Sequence, residues 1–219
     1  MIITLKKPVG DILQMLNGKK RVAIIGCGQC ATICRTGGEQ QVEELAETLE
    51  KEGKEIVFRE VIEAGVCYIP ESGKVLERIP EADAVIVLAC GSGAQAVLEF
   101  DDSFNVFPGV DTKFLGITKE FGEFYRKCSL CGDCILHLTG GLCPLALCPK
   151  NKVNGPCSDS IDGRCPTLEL AGVEDADCVW ELIYKKTGKI PEIGMDWSKS
   201  TLPERITLQN VAKRKARAR

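Results

Sequence analysis

Aromatic side chains are scarce in this 219-residue chain, 5% of the total, and histidine occurs once, as His137. So few aromatics argue against a base-stacking surface for nucleic acid. The formal net charge of −3 supplies no global field that would draw the chain to nucleic acid or to a membrane surface. Long apolar runs are missing as well, so no membrane span is expected. The opening MIITLKKPVGDILQML is helix-like but interrupted by charge and proline, and it does not have the make-up of a secretory signal. With 44% hydrophobic and 27% charged residues, the composition is that of an ordinary globular protein. The length suffices for one large domain or two small ones, and a cytoplasmic location is the expectation.

Cysteine is what the chain has in excess, thirteen residues in two groups. Cys27, Cys30, Cys34, Cys67 and Cys90 lie in the first half, and eight more crowd between Cys128 and Cys178. A disulfide scaffold belongs to an oxidising compartment. In a reducing one, cysteines at C-x-x-C spacing read as metal ligands or redox thiols. Scattered core cysteines would account for one or two of these residues but not for thirteen, so metal ligation is the reading.

The first half alternates strand and helix patterns. RVAIIG and EIVFREV read as strands, and ADAVIVLACGSGAQAVLEF runs from a buried strand into a helix. TKFLGIT reads as a fourth strand. Between them, EQQVEELAETLEKEG carries Val42, Leu45, Ala46 and Leu49 on one helical face with Gly53 as a stop, and ESGKVLERI reads as a short helix. This alternation implies an α/β fold with a small doubly wound parallel sheet, Rossmann- or flavodoxin-like. Ligands of such sheets sit beyond the carboxyl ends of the strands, which is where Cys27, Cys30, Cys67 and Cys90 are expected. From about residue 126 the periodicity disappears into an irregular cysteine-rich, metal-binding module, where coordinate bonds can stand in for a large core. DCVWELIYKKTGK returns to a short helix packed through Trp180 and Ile183 or Tyr184. The expected organisation is an α/β domain over 1–125, the cysteine-rich module over 126–190, and an extended basic tail over 191–219.

GCGQCATICRTGG, residues 26–38, carries two overlapping patterns. Gly26, Gly28 and Ala31 satisfy a loose dinucleotide fingerprint, but the helical pattern begins only near Gly38, too late for a helix N-terminus to meet a pyrophosphate. Cys27, Cys30 and Cys34, with Cys67 and Cys90, instead offer five thiols for the four corners of an iron–sulfur cluster. The expected order is Cys30, Cys34 and Cys90 first, then Cys67, with Cys27 the spare. In the second half, Cys128-x-x-Cys131-x-x-Cys134 has ferredoxin-like spacing, and Cys143, Cys148 and Cys165 are each followed by proline. With Cys157 and Cys178 they make eight thiols, enough for two four-ligand sites. Zinc in one four-cysteine site and [4Fe–4S] remain alternatives there, since their spacings overlap. His137 is expected to pack or hydrogen-bond beside a cluster.

GCGQCATICRTGG, LACGSGAQAV, CSLCGDCILHLTGGLCPLALCPK and NGPCSDSIDGRCP followed by DCVWELIY together resemble the methylenetetrahydrofolate reductase C-terminal family, including its cysteine-rich MetV-type small subunit. The resemblance covers roughly residues 1–190. Ser158-Asp159 and Pro166 stand where the family pattern carries glycines and a glutamate. The resemblance implies a non-catalytic subunit of an oxidoreductase complex, with [4Fe–4S] clusters in the α/β domain and in the cysteine-rich module. It implies an FMN-bearing catalytic partner that interconverts methylene- and methyl-tetrahydrofolate, with further electron-transfer subunits beside it. Electron transfer with scaffolding is the first function expected, and a structural zinc module that docks the flavoprotein is the alternative. A corrinoid or methyl-transfer accessory is a third.

Overall fold

In the computed structural model, which describes residues 1–174 and 176–195, the opening stretch splits in two. Its β-branched start, Ile2–Lys6, is strand β1, and only Val9–Met15, past Pro8, is helix α1. Proline separates them because its fixed φ suits a helix start but not a helix interior.

The chain divides into two compact units, Met1–Tyr125 and the residues from Arg126 on. In the first, β2 (Arg21–Cys27) leads through α2 (Cys30–Ile33) and α3 (Glu39–Lys51) to β3 (Glu55–Ile62). Then come α4 (Ile69–Leu76), β4 (Ala84–Leu88), α5 (Gly91–Phe100) and β5 (Val106–Pro108). Two longer strands follow, β6 (Val110–Thr118) and β7 (Phe124–Cys128). Strands β3-β2-β4-β5 form one parallel sheet in that order. After β3 the chain crosses β2 to reach β4, so the winding reverses between β2 and β4.

Burial on both faces explains the unbroken apolar runs of β2 and β4. Val22, Ile24, Ile86 and Leu88 pack beneath α1 and α3 through Ile12, Leu16, Val42, Leu45 and Leu49. Their alternates Ala23, Ile25, Cys27, Val85 and Val87 pack on the other face against Leu76 of α4 and Val97 of α5. The sheet is thus covered by helices on both sides, as the alternation predicts.

The fourth parallel strand is not TKFLGIT. That segment lies within β6, which pairs antiparallel with β1 in a separate sheet of order β1-β6-β7. Only Val110 and Gly116 of β6 are buried, the mark of a half-solvated antiparallel strand rather than a central parallel one. The parallel position belongs to the three residues of β5, paired with Val85–Val87. A run that short, ended by Pro108, carries almost no strand signal.

Among the described residues, the second unit has three short helices: α6 (Pro144–Leu147), α7 (Pro166–Leu170) and α8 (Val179–Thr187). Pro144 and Pro166 open α6 and α7, with Cys143 and Cys165 as N-caps. Two of the three Cys-Pro pairs are therefore helix starts, where a missing N–H costs nothing. Trp180 and Ile183 are buried with Ile135, Val179, Cys178 and Ile193, whereas Tyr184 is exposed. Isolated bridges join Arg164 to Ile161 and to Asp177. Most of the basic tail expected over 191–219 lies outside the described residues. Among the described residues, no helix is long and apolar enough to cross a membrane.

Candidate functional site

Strand ends deliver the first group of thiols. Cys27 closes β2, Cys30 begins α2, Cys67 follows β3, and Cys90 is the N-cap of α5 directly after β4. Cys27 and Cys90 thus mark the carboxyl ends of β2 and β4, the strands flanking the reversal in winding, where doubly wound sheets hold ligands, and Cys67 comes from the loop after the neighbouring β3. Partial burial pushes the Cys67 thiol above its ordinary pKa, and the charges of Cys90, Cys27 and Cys30 push it the same way. Cys67 therefore shares one neighbourhood with Cys90, Cys27 and Cys30, whose charges oppose its ionisation. A cation reverses that repulsion, and an all-thiolate donor set selects zinc or iron–sulfur chemistry.

Cys34 stands differently. Its thiol donates to the Ile2 carbonyl at 3.7 Å, while the Ile2 N–H donates to Cys30 Sγ at 3.4 Å. One residue of β1 thus serves two cysteines, giving Cys30 an N–H···S contact and occupying Cys34 with a backbone acceptor. The preference for Cys34 over Cys27 finds no counterpart in this arrangement. No local signal reveals the Ile2 contact with Cys30, because it joins segments 28 residues apart.

The glycines around these thiols make room for protein rather than phosphate. A Cβ on Gly28 would lie 2.7 Å from Glu63 Cα, and one on Gly37 would lie 1.9 Å from the Leu88 carbonyl oxygen. The Gly37 carbonyl also accepts the Cys27 N–H at 2.8 Å, closing the cysteine loop back onto the end of β2. At Cys90, the following Gly91 N–H donates to Thr112 Oγ1 at 2.9 Å. Arg35, at φ 54°, stacks its guanidinium over Phe121 at 4.0 Å. Neither Thr112 nor Arg35 stands out in the sequence.

Seven of the eight later cysteines fall into two neighbourhoods. Burial pushes the Cys143 thiol up, backbone N–H groups of Ala146 and Leu145 pull it down, and the Cys131 and Cys128 charges push it up. Cys128 Sγ accepts the Leu130 N–H at 3.3 Å, and Leu130 adopts φ 59° to present it. Cys134 is exposed, as is His137. Cys148, Cys157, Cys165 and Cys178 instead line one cavity over Trp180. Lys150 stands there paired with Asp159, which raises the ammonium's pKa, with smaller contributions from Cys157 and Cys165.

All thirteen cysteines are free thiols. Among the described residues, no three His, Cys, Asp or Glu side chains lie close enough to hold a metal ion. Among the described residues, the thiols thus share neighbourhoods without forming a coordination shell.

No curated protein and no solved structure matches the chain. A family model does match, described as the methylene-tetrahydrofolate reductase C terminal, over residues 107–203. That stretch contains all eight cysteines from Cys128 to Cys178 and none of the five before them. Over residues 107–203, the chain is similar to the C-terminal family of methylenetetrahydrofolate reductase.

Proposed function

We propose that this chain is a MetV-type iron–sulfur electron-transfer and scaffolding subunit of a methylenetetrahydrofolate reductase complex, working in the cytoplasm beside an FMN-bearing catalytic partner. The observation that carries the reading is the gathering of Cys27, Cys30, Cys67 and Cys90 at the reversal point of the parallel sheet. The family match supplies the enzyme it would serve. In this reading those four cysteines hold a [4Fe–4S] cluster, whose chemistry is one-electron transfer, and Cys34 stays outside the ligand set. Ile2 N–H, aimed at Cys30 Sγ, stabilises charge on that sulfur and so favours the reduced state. The buried surroundings of Cys27 limit solvent access.

The test is anaerobic reconstitution of the full chain with iron and sulfide, followed by iron analysis and visible spectroscopy. The expected result is a brown protein whose broad absorption bleaches with dithionite and which reduces the flavin of the catalytic partner. Cys90→Ala should remove one cluster's signal while the second unit keeps its metal. A colourless protein holding zinc alone would replace this reading with that of a structural module that docks the flavoprotein. The small Trp180 core of the second unit is what favours that second reading, because a unit with so few buried apolar residues gains stability from a metal.

A further inference from the structure

Strand β1 is an edge of the β1-β6-β7 sheet, so alternate residues turn a backbone N–H and C=O away from the ladder. At Ile2 these groups meet the cysteine loop: the N–H donates to Cys30 Sγ at 3.4 Å and the carbonyl accepts the Cys34 thiol at 3.7 Å. Two residues on, Thr4 makes the next contact with the same loop. The Thr4 and Thr36 hydroxyls lie 2.6 Å apart. Thr36 Oγ1 donates to the Ala31 carbonyl at 3.2 Å, so the Thr4 hydroxyl is the donor between the two. Thr4 is 1% exposed and Thr36 4%. Buried hydroxyls cost stability unless paired, and a valine of the same shape would avoid that cost. Across the ladder Thr4 faces Thr112 of β6, whose Oγ1 accepts the Gly91 N–H at 2.9 Å, directly after Cys90. The register shifts at this rung. Ile3 faces Phe114 and Thr4 faces Thr112, which leaves Lys113 as an extra residue of β6, the kind of bulge that re-aims side chains beside a site.

We propose that Thr4 and Thr112 are positioning residues for the first unit's thiols, a single rung of the antiparallel sheet that sets the places of Cys30 and Cys90 together. Thr4 fixes how β1 lies along the cysteine loop. A slip of one residue would turn the Ile2 N–H and carbonyl toward β6 and take them from both thiols. Thr112 fixes the start of α5. Cys90 is the N-cap there but makes no side-chain cap bond, and its backbone is extended at ψ 168°. With the Gly91 N–H held by Thr112, the Cys90 thiol is left to the site. Cys67 is held by other means. Gly28 N–H donates to the Ile62 carbonyl at 3.0 Å, and Gln29 Nε2 donates to the Glu63 carbonyl at 2.6 Å, which ties the loop after β3 to the cysteine loop. Cys67 is therefore an internal reference for the other two. The effect of this rung on electron transfer rests on the reading of Cys27, Cys30, Cys67 and Cys90 as cluster ligands; its effect on where the thiols stand does not.

The experiment uses the full chain in two forms. In the metal-free, reduced protein, alkylation of each cysteine by iodoacetamide is followed by mass spectrometry. Thr4→Val should speed modification of Cys30 and Cys34 roughly fivefold, the equilibrium weight of one hydrogen bond, and Thr112→Val should do the same at Cys90. Thr4→Ser and Thr112→Ser keep the hydroxyl and should leave the rates at their wild-type values. Cys67 should hold its rate in all four variants. After anaerobic reconstitution with iron and sulfide, a dye-equilibrated redox titration is the second readout. Loss of the Ile2 N–H from Cys30 Sγ in Thr4→Val should lower the reduced-to-oxidised ratio at a given poise about tenfold, 59 mV for one electron, with Thr4→Ser close to wild type. Unchanged Cys30 and Cys90 rates in the valine variants, an equal rise at Cys67, or no rescue by serine overturns the proposal. Thr112 is exposed, so Thr112→Val decides alone if Thr4→Val does not fold. A cluster whose potential ignores Thr4→Val overturns the part assigned to Thr4. The expected alkylation pattern in a wild type that takes up no cluster overturns the electron-transfer reading and leaves the positioning roles standing.

Discussion

Gly37→Ala should destabilise the first unit more than its size suggests. The added methyl would sit 1.9 Å from the Leu88 carbonyl oxygen and 2.9 Å from the Ala31 methyl. Leu88 ends β4 in the sheet and is 4% exposed, and Ala31 is 1% exposed, so neither neighbour can swing aside. The loop from Cys27 to Gly37 must lift instead, which also stretches the Cys27 N–H to Gly37 carbonyl bond of 2.8 Å. Overpacking costs about 1–3 kcal/mol, and contact with a fixed backbone oxygen puts this case at the upper end. The lost hydrogen bond adds roughly 1 kcal/mol. A sum near 3–4 kcal/mol corresponds to a Tm lower by about 10 °C for a chain of this size. Circular dichroism melts of the purified protein test it, with Gly10→Ala as control. Nothing lies within 4 Å of a Cβ on Gly10, so alanine there should be neutral or stabilise α1 by up to about 1 kcal/mol. Thiol titration of Cys67 and Cys90 should quicken in Gly37→Ala as the loop moves. A Gly37→Ala melt within about 2 °C of the wild type would refute the close approach of the cysteine loop to β4.

Trp180→Ala removes the largest side chain of the second unit's core, 1% exposed, and should cost about 3–5 kcal/mol; hydrogen exchange should accelerate throughout α8, and unchanged protection would contradict the packing. Asp83 accepts the Lys20 and Arg21 N–H groups at 2.8 Å each, and these bonds hold its carboxyl below the usual value of 3.8. Because the folded-state pKa is depressed, the stabilisation is complete above the unfolded value and is lost as pH falls through the folded one. The Tm advantage of wild type over Asp83→Asn should accordingly persist from neutral pH down to about 4 and shrink below it; a pH-independent difference would count against it. Cys34→Ser should leave the iron content of the reconstituted first unit unchanged, whereas Cys27→Ser should lower it. The reverse result, by iron analysis, would restore Cys34 to the ligand set.

Much of the first unit was legible in the residues, for a physical reason. A central parallel strand is buried on both faces, so RVAIIGC and AVIVL had to be apolar without interruption, and the single apolar face of α3 announced itself at helical spacing. β5 was not legible, because three residues ending in proline carry no period, and its place was assigned to a segment of β6 whose solvated face puts it in another sheet. The Cys-Pro pairs were visible, but two of them prove to be helix starts, a local backbone role that needs no ferredoxin analogy.

The sequence by itself determined that cysteine is in excess and that Cys27, Cys30, Cys67 and Cys90 would follow the ends of strands, since spacing and alternation are properties of the chain alone. Which thiols share a neighbourhood was decided only by tertiary structure. Cys34 is drawn to Ile2 by a contact across 32 residues, and the segments that carry Cys165 and Cys178 are joined by the Arg164–Asp177 bridge, which no local pattern encodes. Partnership among cysteines depends on strand order and on where a loop is fastened, and both are set by burial of residues far from the cysteines themselves.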